Sequence, residues 1–134
     1  MSYEPSSDRN TRPERGAAAV EFALVVPLLI ALVLGMVVFS HAYQVQSSLA
    51  MAAREGARVM ALSPPDLTLA QAQSAAKTRA SEAALSLGIS GVTTNNPVCS
   101  GTPVSSTTMV VEYKFDFLGV RLDLSGEGVM RCGG

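Results

Sequence analysis

Glu21 stands at the margin of an uncharged run, Phe22 to Phe39, with four small or aliphatic residues separating it from Gly16. A carboxylate beside so apolar a stretch is costly unless it finds a partner, and a segment selected only for anchoring has no use for one. The other reactive side chains are sparse. There are two cysteines, Cys99 and Cys132, and one histidine, His41. One histidine with no nucleophile paired to it does not support a hydrolytic triad. A zinc site needs four ligands, and His41 sits at the boundary of the apolar run, so no metal site is expected. Beside Tyr43, His41 reads as an interfacial ring of the kind that favours the headgroup level. Asp116, Asp123 and Glu127 alternate with apolar neighbours and read as a solvated strand face. The sequence gives no catalytic residue and no motif that calls for a cofactor.

The elements that must position these residues follow from where the apolar content lies. The chain of 134 residues is long enough for one domain. It is 48% hydrophobic with a mean hydropathy of +0.28, yet aromatics are only 5% and Trp is absent. A small packed globule usually leans on aromatics, so this apolar content is concentrated in one place. The net charge is −1 and the ten Lys and Arg are scattered, which argues against nucleic acid as a partner.

Met1 to Gly16 is polar, rich in Ser, Pro and Arg, without apolar periodicity, and reads as a disordered leader. From Phe22 to Phe39 the uncharged run covers about 27 Å as a helix, close to a hydrocarbon core of about 30 Å. Pro27 and Gly35 are tolerated inside such a helix. Arg9, Arg12 and Arg15 precede the run, and the first arginine after it is Arg54. That asymmetry places the N-terminus in the cytoplasm and the remainder outside, with lipid as a partner of residues 17–40. A cleaved secretory signal would show a shorter apolar core and a small-x-small site at its far end, which MVVFSHAYQVQ lacks. An unprocessed signal anchor carrying an exterior domain that binds a partner at the cell surface stays open as the alternative.

Gly16 followed by Ala17-Ala18-Ala19-Val20-Glu21-Phe22 resembles the prepilin peptidase site of type IV pilins. The wider segment is similar to the TadE-like family. Its matching parts are Arg15-Gly16, the span with Val20-Glu21-Phe22-Ala23-Leu24 and Pro27, and Ala52-Ala53-Arg54-Glu55-Gly56-Ala57-Arg58. The resemblance runs well from residue 15 to about 62 and only loosely beyond.

This resemblance implies cleavage between Gly16 and Ala17, removing residues 1–16. It also implies that Glu21, with Phe22 next to it, serves assembly by pairing with the free α-amino group of a neighbouring subunit. In a low dielectric such a pair favours one axial register. The implied role is a minor pilin or pseudopilin of a tight-adherence (Flp-type) pilus, acting in assembly, initiation or tip formation and not as an enzyme. The implied partners are prepilin peptidase, other pilin and pseudopilin subunits, and the pilus assembly platform.

Beyond the span, Ala42 to Leu62 keeps helical spacing. Gln44, Ser47, Ser48, Arg54, Glu55 and Arg58 share one arc, and Val45, Leu49, Ala52, Ala53, Gly56 and Met60 share another. One helix of roughly 60 Å is expected, running from membrane to exterior. Glu55 and Arg58 stand at i,i+3 with the acid first, a favourable order. Arg54, Glu55 and Arg58 fit a solvated face, or pairing within the domain or between subunits.

Ser63-Pro64-Pro65 ends that helix. Thr68 with Gln71 fits a capping box, and Leu69, Ala72, Ala76, Ala80, Ala83 and Leu87 form the stripe of a second helix ending at Gly88. Together these predict a helical hairpin. Ile89 to Ser106 reads as loop, with Asn95-Asn96-Pro97 and Gly101-Thr102-Pro103 as turns and Val92 to Thr94 as a short edge strand. Met109, Val111, Tyr113, Phe115 and Phe117 then alternate with polar residues. After Leu118-Gly119, Leu122, Leu124, Met130 and Cys132 do the same, which predicts an antiparallel hairpin.

The expected fold is α+β and pilin-like: a long helix passing from membrane to exterior, a second helix, then a small antiparallel sheet across an exterior domain of 41–134. Cys99 and Cys132 both fall in the exported part, where two thiols most simply pair. The bond would close a loop of about 33 residues and contribute roughly 3–4 kcal/mol.

Overall fold

A computed structural model describes the backbone of residues 12–101 and 104–133, with side chains from Gly16 onward. The side chains of Arg9, Arg12 and Arg15, most of the expected leader, and Thr102-Pro103 of the expected turn lie outside the described residues. The fold is α+β, with elements α1 (Arg12–Ala61), α2 (Leu69–Ser86), β1 (Thr93–Thr94), β2 (Ser106–Phe117) and β3 (Val120–Arg131). It divides into two units, Met1–Val37 and Val38–Gly134.

In the first unit α1 begins at Arg12, so its first five residues fall within the segment expected as a leader without structure. Pro13 does not oppose this, because the amide it lacks would have no partner in a first helical turn. Leu24, Leu28, Leu32 and Met36 are all exposed. No residue of the most apolar window is buried, and α1 is long and apolar enough to cross a membrane.

In the second unit α1 buries Ala42, Leu49, Ala52, Ala53, Ala57, Met60 and Ala61. Helix α2 answers with Ala72, Ala76, Ala80 and Ala84, a ridge at i,i+4. Its N-terminus has the reciprocal Thr68–Gln71 capping box, and Gly88, at φ 81, follows its C-cap. The expected stripe is corrected at its ends: Leu69 and Leu87 are exposed and Ala84 takes the inner position. A helical period assigns a face, but the last turns extend past what covers that face.

The sheet has three strands in the order β1-β2-β3, antiparallel throughout. Leu118 and Gly119 both have positive φ, the backbone of a tight two-residue hairpin turn, and fix the register with Phe117 opposite Val120. Thr107, Met109, Val111 and Phe115 form the buried face of β2. Leu122, expected on the inner face, is instead exposed.

On β3 the inner positions are Gly126 and Gly128, opposite Val111 and Met109. A Cβ on Gly126 would overlap the Leu49–Ala50 backbone, and one on Gly128 would lie 2.5 Å from the amide nitrogen of Arg54. These glycines let the strand ride directly on the helix, a use of strand glycine that side-chain patterning does not reveal. Since rising strand numbers meet rising helix numbers, β3 runs in the same sense as this part of α1. Gly133 continues the alignment by donating its amide to the Ala61 carbonyl at 3.3 Å. Gly56 plays the same part toward α2, where a Cβ would stand 2.9 Å from that of Ala80.

The short edge strand expected at Val92 to Thr94 forms as β1. β1 pairs Thr93 with Glu112 and Thr94 with Val111. Asn95 prolongs the ladder with its side chain, accepting from Val110 N–H at 2.9 Å and donating to the Thr108 carbonyl at 3.0 Å. Asn95 was expected in a turn; its amide group serves here as one more strand residue.

Candidate functional site

The residues with functional potential fall on two stretches of α1 and at one end of the sheet. In the first unit Gly16, Ala17, Glu21 and Phe22 are all exposed on helix. Among the described residues, nothing lies within 4 Å of where a Cβ on Gly16 or Gly35 would be. Glu21 has no ion-pair partner among the described residues.

In the second unit Arg54, Glu55 and Arg58 share a polar face, but the pair suggested by local spacing does not form. Glu55 faces Arg79 of α2, Oε2 to Nη2 at 3.9 Å, and Arg79 also reaches Glu82 at 3.9 Å. All three side chains are about half exposed, so this contact orients the helices more than it stabilises them. Arg54 and Arg58 remain on the solvent side. The sequence signal for Arg79 was absent because a partner on another helix has no fixed spacing.

Cys99 and Cys132 are joined in a disulfide, with Cα atoms 6.0 Å apart and a separation of 33 residues. The bond ties the loop after β1 to the end of β3. Gln73 Nε2 donates to the Pro97 carbonyl at 3.1 Å and holds the same loop to α2.

His41 does more than mark a boundary. Its ring lies 5.6 Å from that of Phe115 and 5.1 Å from that of Phe117, both tilted. The three rings join the Val38 end of this unit's helix to the hairpin tip. Tyr43, expected beside His41 as an interfacial ring, is exposed.

These features define an α+β protein with one exposed apolar helix suited to single-pass membrane anchoring and a small disulfide-bonded sheet. Residues 16–58 match the family model of the TadE-like proteins. The matched stretch holds the Gly16–Glu21 motif, the apolar helix and the helix face on which the sheet rides. It ends within α1, so α2 and the sheet lie beyond it. No curated protein and no solved structure matches the chain. The family match points to a pilus-associated structural protein.

Proposed function

We propose that this chain is a minor pilin or pseudopilin of a tight-adherence type IV pilus, acting in its assembly, initiation or tip. Prepilin peptidase trims it after Gly16 on the cytoplasmic side, and Glu21 then guides it among other pilin and pseudopilin subunits at the assembly platform. The observation that carries this reading is the TadE-like match, which spans the cleavage motif and the helix together.

The local physics supports it. Glycine in a helix is less favourable than alanine by about 1 kcal/mol, and no described residue crowds position 16. A small residue there suits a peptidase pocket. Gly35 is equally uncrowded and sits where another apolar helix could approach closely. Glu21, unmatched within the described residues, suits a partner on a neighbouring subunit.

Intact mass and N-terminal sequencing of the protein from its native host test the reading. The expected start is Ala17. A start at Met1 or Ser2 would leave an unprocessed signal anchor, and one beyond Phe39 a secreted domain.

A further inference from the structure

We propose that the tip of the β2–β3 hairpin is a second membrane contact, seating Leu118 and Val120 in the lipid surface beside the end of the apolar helix. This rests on the reading of Phe22–Phe39 as a membrane span.

Leu118 has a φ of 51°, a conformation that L side chains rarely adopt, and the residue is 67% exposed. The first position of such a turn favours Asn, Asp or Gly, which tolerate positive φ and welcome water. A leucine there satisfies neither the backbone nor the solvent, so it is explained by an apolar environment that the described residues do not provide.

The same unit indicates what that environment is. Phe117, adjacent to Leu118, packs on His41, only two residues after Phe39, the last residue of the uncharged run. Because β3 follows α1 in the same sense, from Gly126 at Leu49 to Gly133 at Ala61, its Val120 end points toward the Val38 end of the helix. The turn lies beyond Phe117 in that direction and therefore at the level of Phe39, within the same unit. Val120 and Leu122 are exposed beside it, as are Phe39 and Tyr43.

On the opposite face of the hairpin Asp116 and Arg121 pair at 3.0 Å, with their side chains in solvent. A neutralised ion pair at headgroup depth above an apolar tip is the layering expected of a lipid-surface contact. Two points of attachment, the helix and the tip, would hold the sheet against the membrane until the subunit leaves it.

The chain contains no Trp, so single indoles report without background. Full-length protein carrying Leu118→Trp, Ile30→Trp or Glu127→Trp would be reconstituted in phosphatidylcholine vesicles containing lipids brominated high or low on the acyl chain. Leu118→Trp should be quenched chiefly by the high bromines and Ile30→Trp chiefly by the low ones. Glu127→Trp, on the polar face of β3, should be quenched by neither. Val120→Trp, outside the turn, repeats the measurement if position 118 rejects an indole.

Unquenched Leu118→Trp and Val120→Trp beside a quenched Ile30→Trp would overturn the tip contact while leaving the span intact. An unquenched Ile30→Trp would overturn the span and the tip contact with it. A blue-shifted tip that ignores brominated lipid and turns red on dilution of the protein would assign it to a second copy instead.

Discussion

Gly128 and Ala53 meet backbone to backbone: a Cβ built on the glycine would come within 2.6 Å of the Ala53 carbonyl carbon. Gly126 stands closer still against the Leu49 backbone. The atoms in the way belong to helix backbone, which cannot rotate aside. Gly126→Ala and Gly128→Ala should each destabilise the exterior unit by about 3 kcal/mol, at the upper end for overpacking. Ser125→Ala, between strand and solvent, should leave the unfolding midpoint near wild type. Denaturant unfolding of the detergent-solubilised protein makes the comparison, and wild-type midpoints for both glycine variants would mean that the strand does not rest on the helix.

Thr107 is a buried polar residue whose Oγ1 has no hydrogen-bond partner among the described residues. Valine keeps the β-branched shape and strand preference while removing the unsatisfied hydroxyl. Thr107→Val should therefore stabilise the protein by about 1 kcal/mol, the lower range for an unmet buried group. A loss of stability in the same unfolding assay would reveal that the hydroxyl has a partner, such as a bound water.

The helices were legible because their ends are chemical events. Ser63-Pro64-Pro65 stops α1, Thr68 and Gln71 start α2, and Gly88 ends it. The hairpin was legible because Leu118-Gly119 interrupts two alternating runs. Periodicity says which residues share a face but not what covers it, which is why Leu69, Leu87 and Leu122 proved exposed. Contacts between elements are invisible to it for the same reason: Glu55 meets Arg79, not Arg58. Gly126 and Gly128 carried a signal, glycine at alternate strand positions, that gains meaning only when a helix backbone lies opposite. Asn95 was hidden because a side-chain amide acting as a strand residue has the same composition as a turn. At the candidate site, the Gly16–Glu21 spacing was visible from residue types alone, since it depends on chain distance and not on packing.

The disulfide offers a test of how much the exterior unit depends on covalent support. Cys99 and Cys132 close a separation of 33 residues, and the buried face of this unit is mostly alanine with few large side chains. Cys99→Ser combined with Cys132→Ser should lower unfolding stability by roughly 3–4 kcal/mol on the chain-entropy account. Reductant should lower wild type by a similar amount and leave the double variant unchanged. Thiol labelling under denaturing, non-reducing conditions should find no reactive group in exported wild-type protein. Two reactive groups there would mean that the bond is not formed in the cell.

Glu21→Gln separates anchoring from assembly. Insertion should survive, because Phe22 to Phe39 supplies that free energy without the carboxylate. Incorporation into pili or pilin complexes should fall. Glutamine keeps the shape and some hydrogen bonding but loses the charge that would meet a neighbour's α-amino group, itself created by cleavage after Gly16. Removing one member of a desolvated pair commonly costs about 3–5 kcal/mol, since the other charge is left unmatched. At about 1.4 kcal/mol per factor of ten, incorporation should drop by roughly two orders of magnitude or more. Membrane-fraction abundance is to be compared with the amount in sheared pili or cross-linked complexes. Equal recovery of variant and wild type in both fractions would reduce Glu21 to a boundary residue and favour the unprocessed signal anchor.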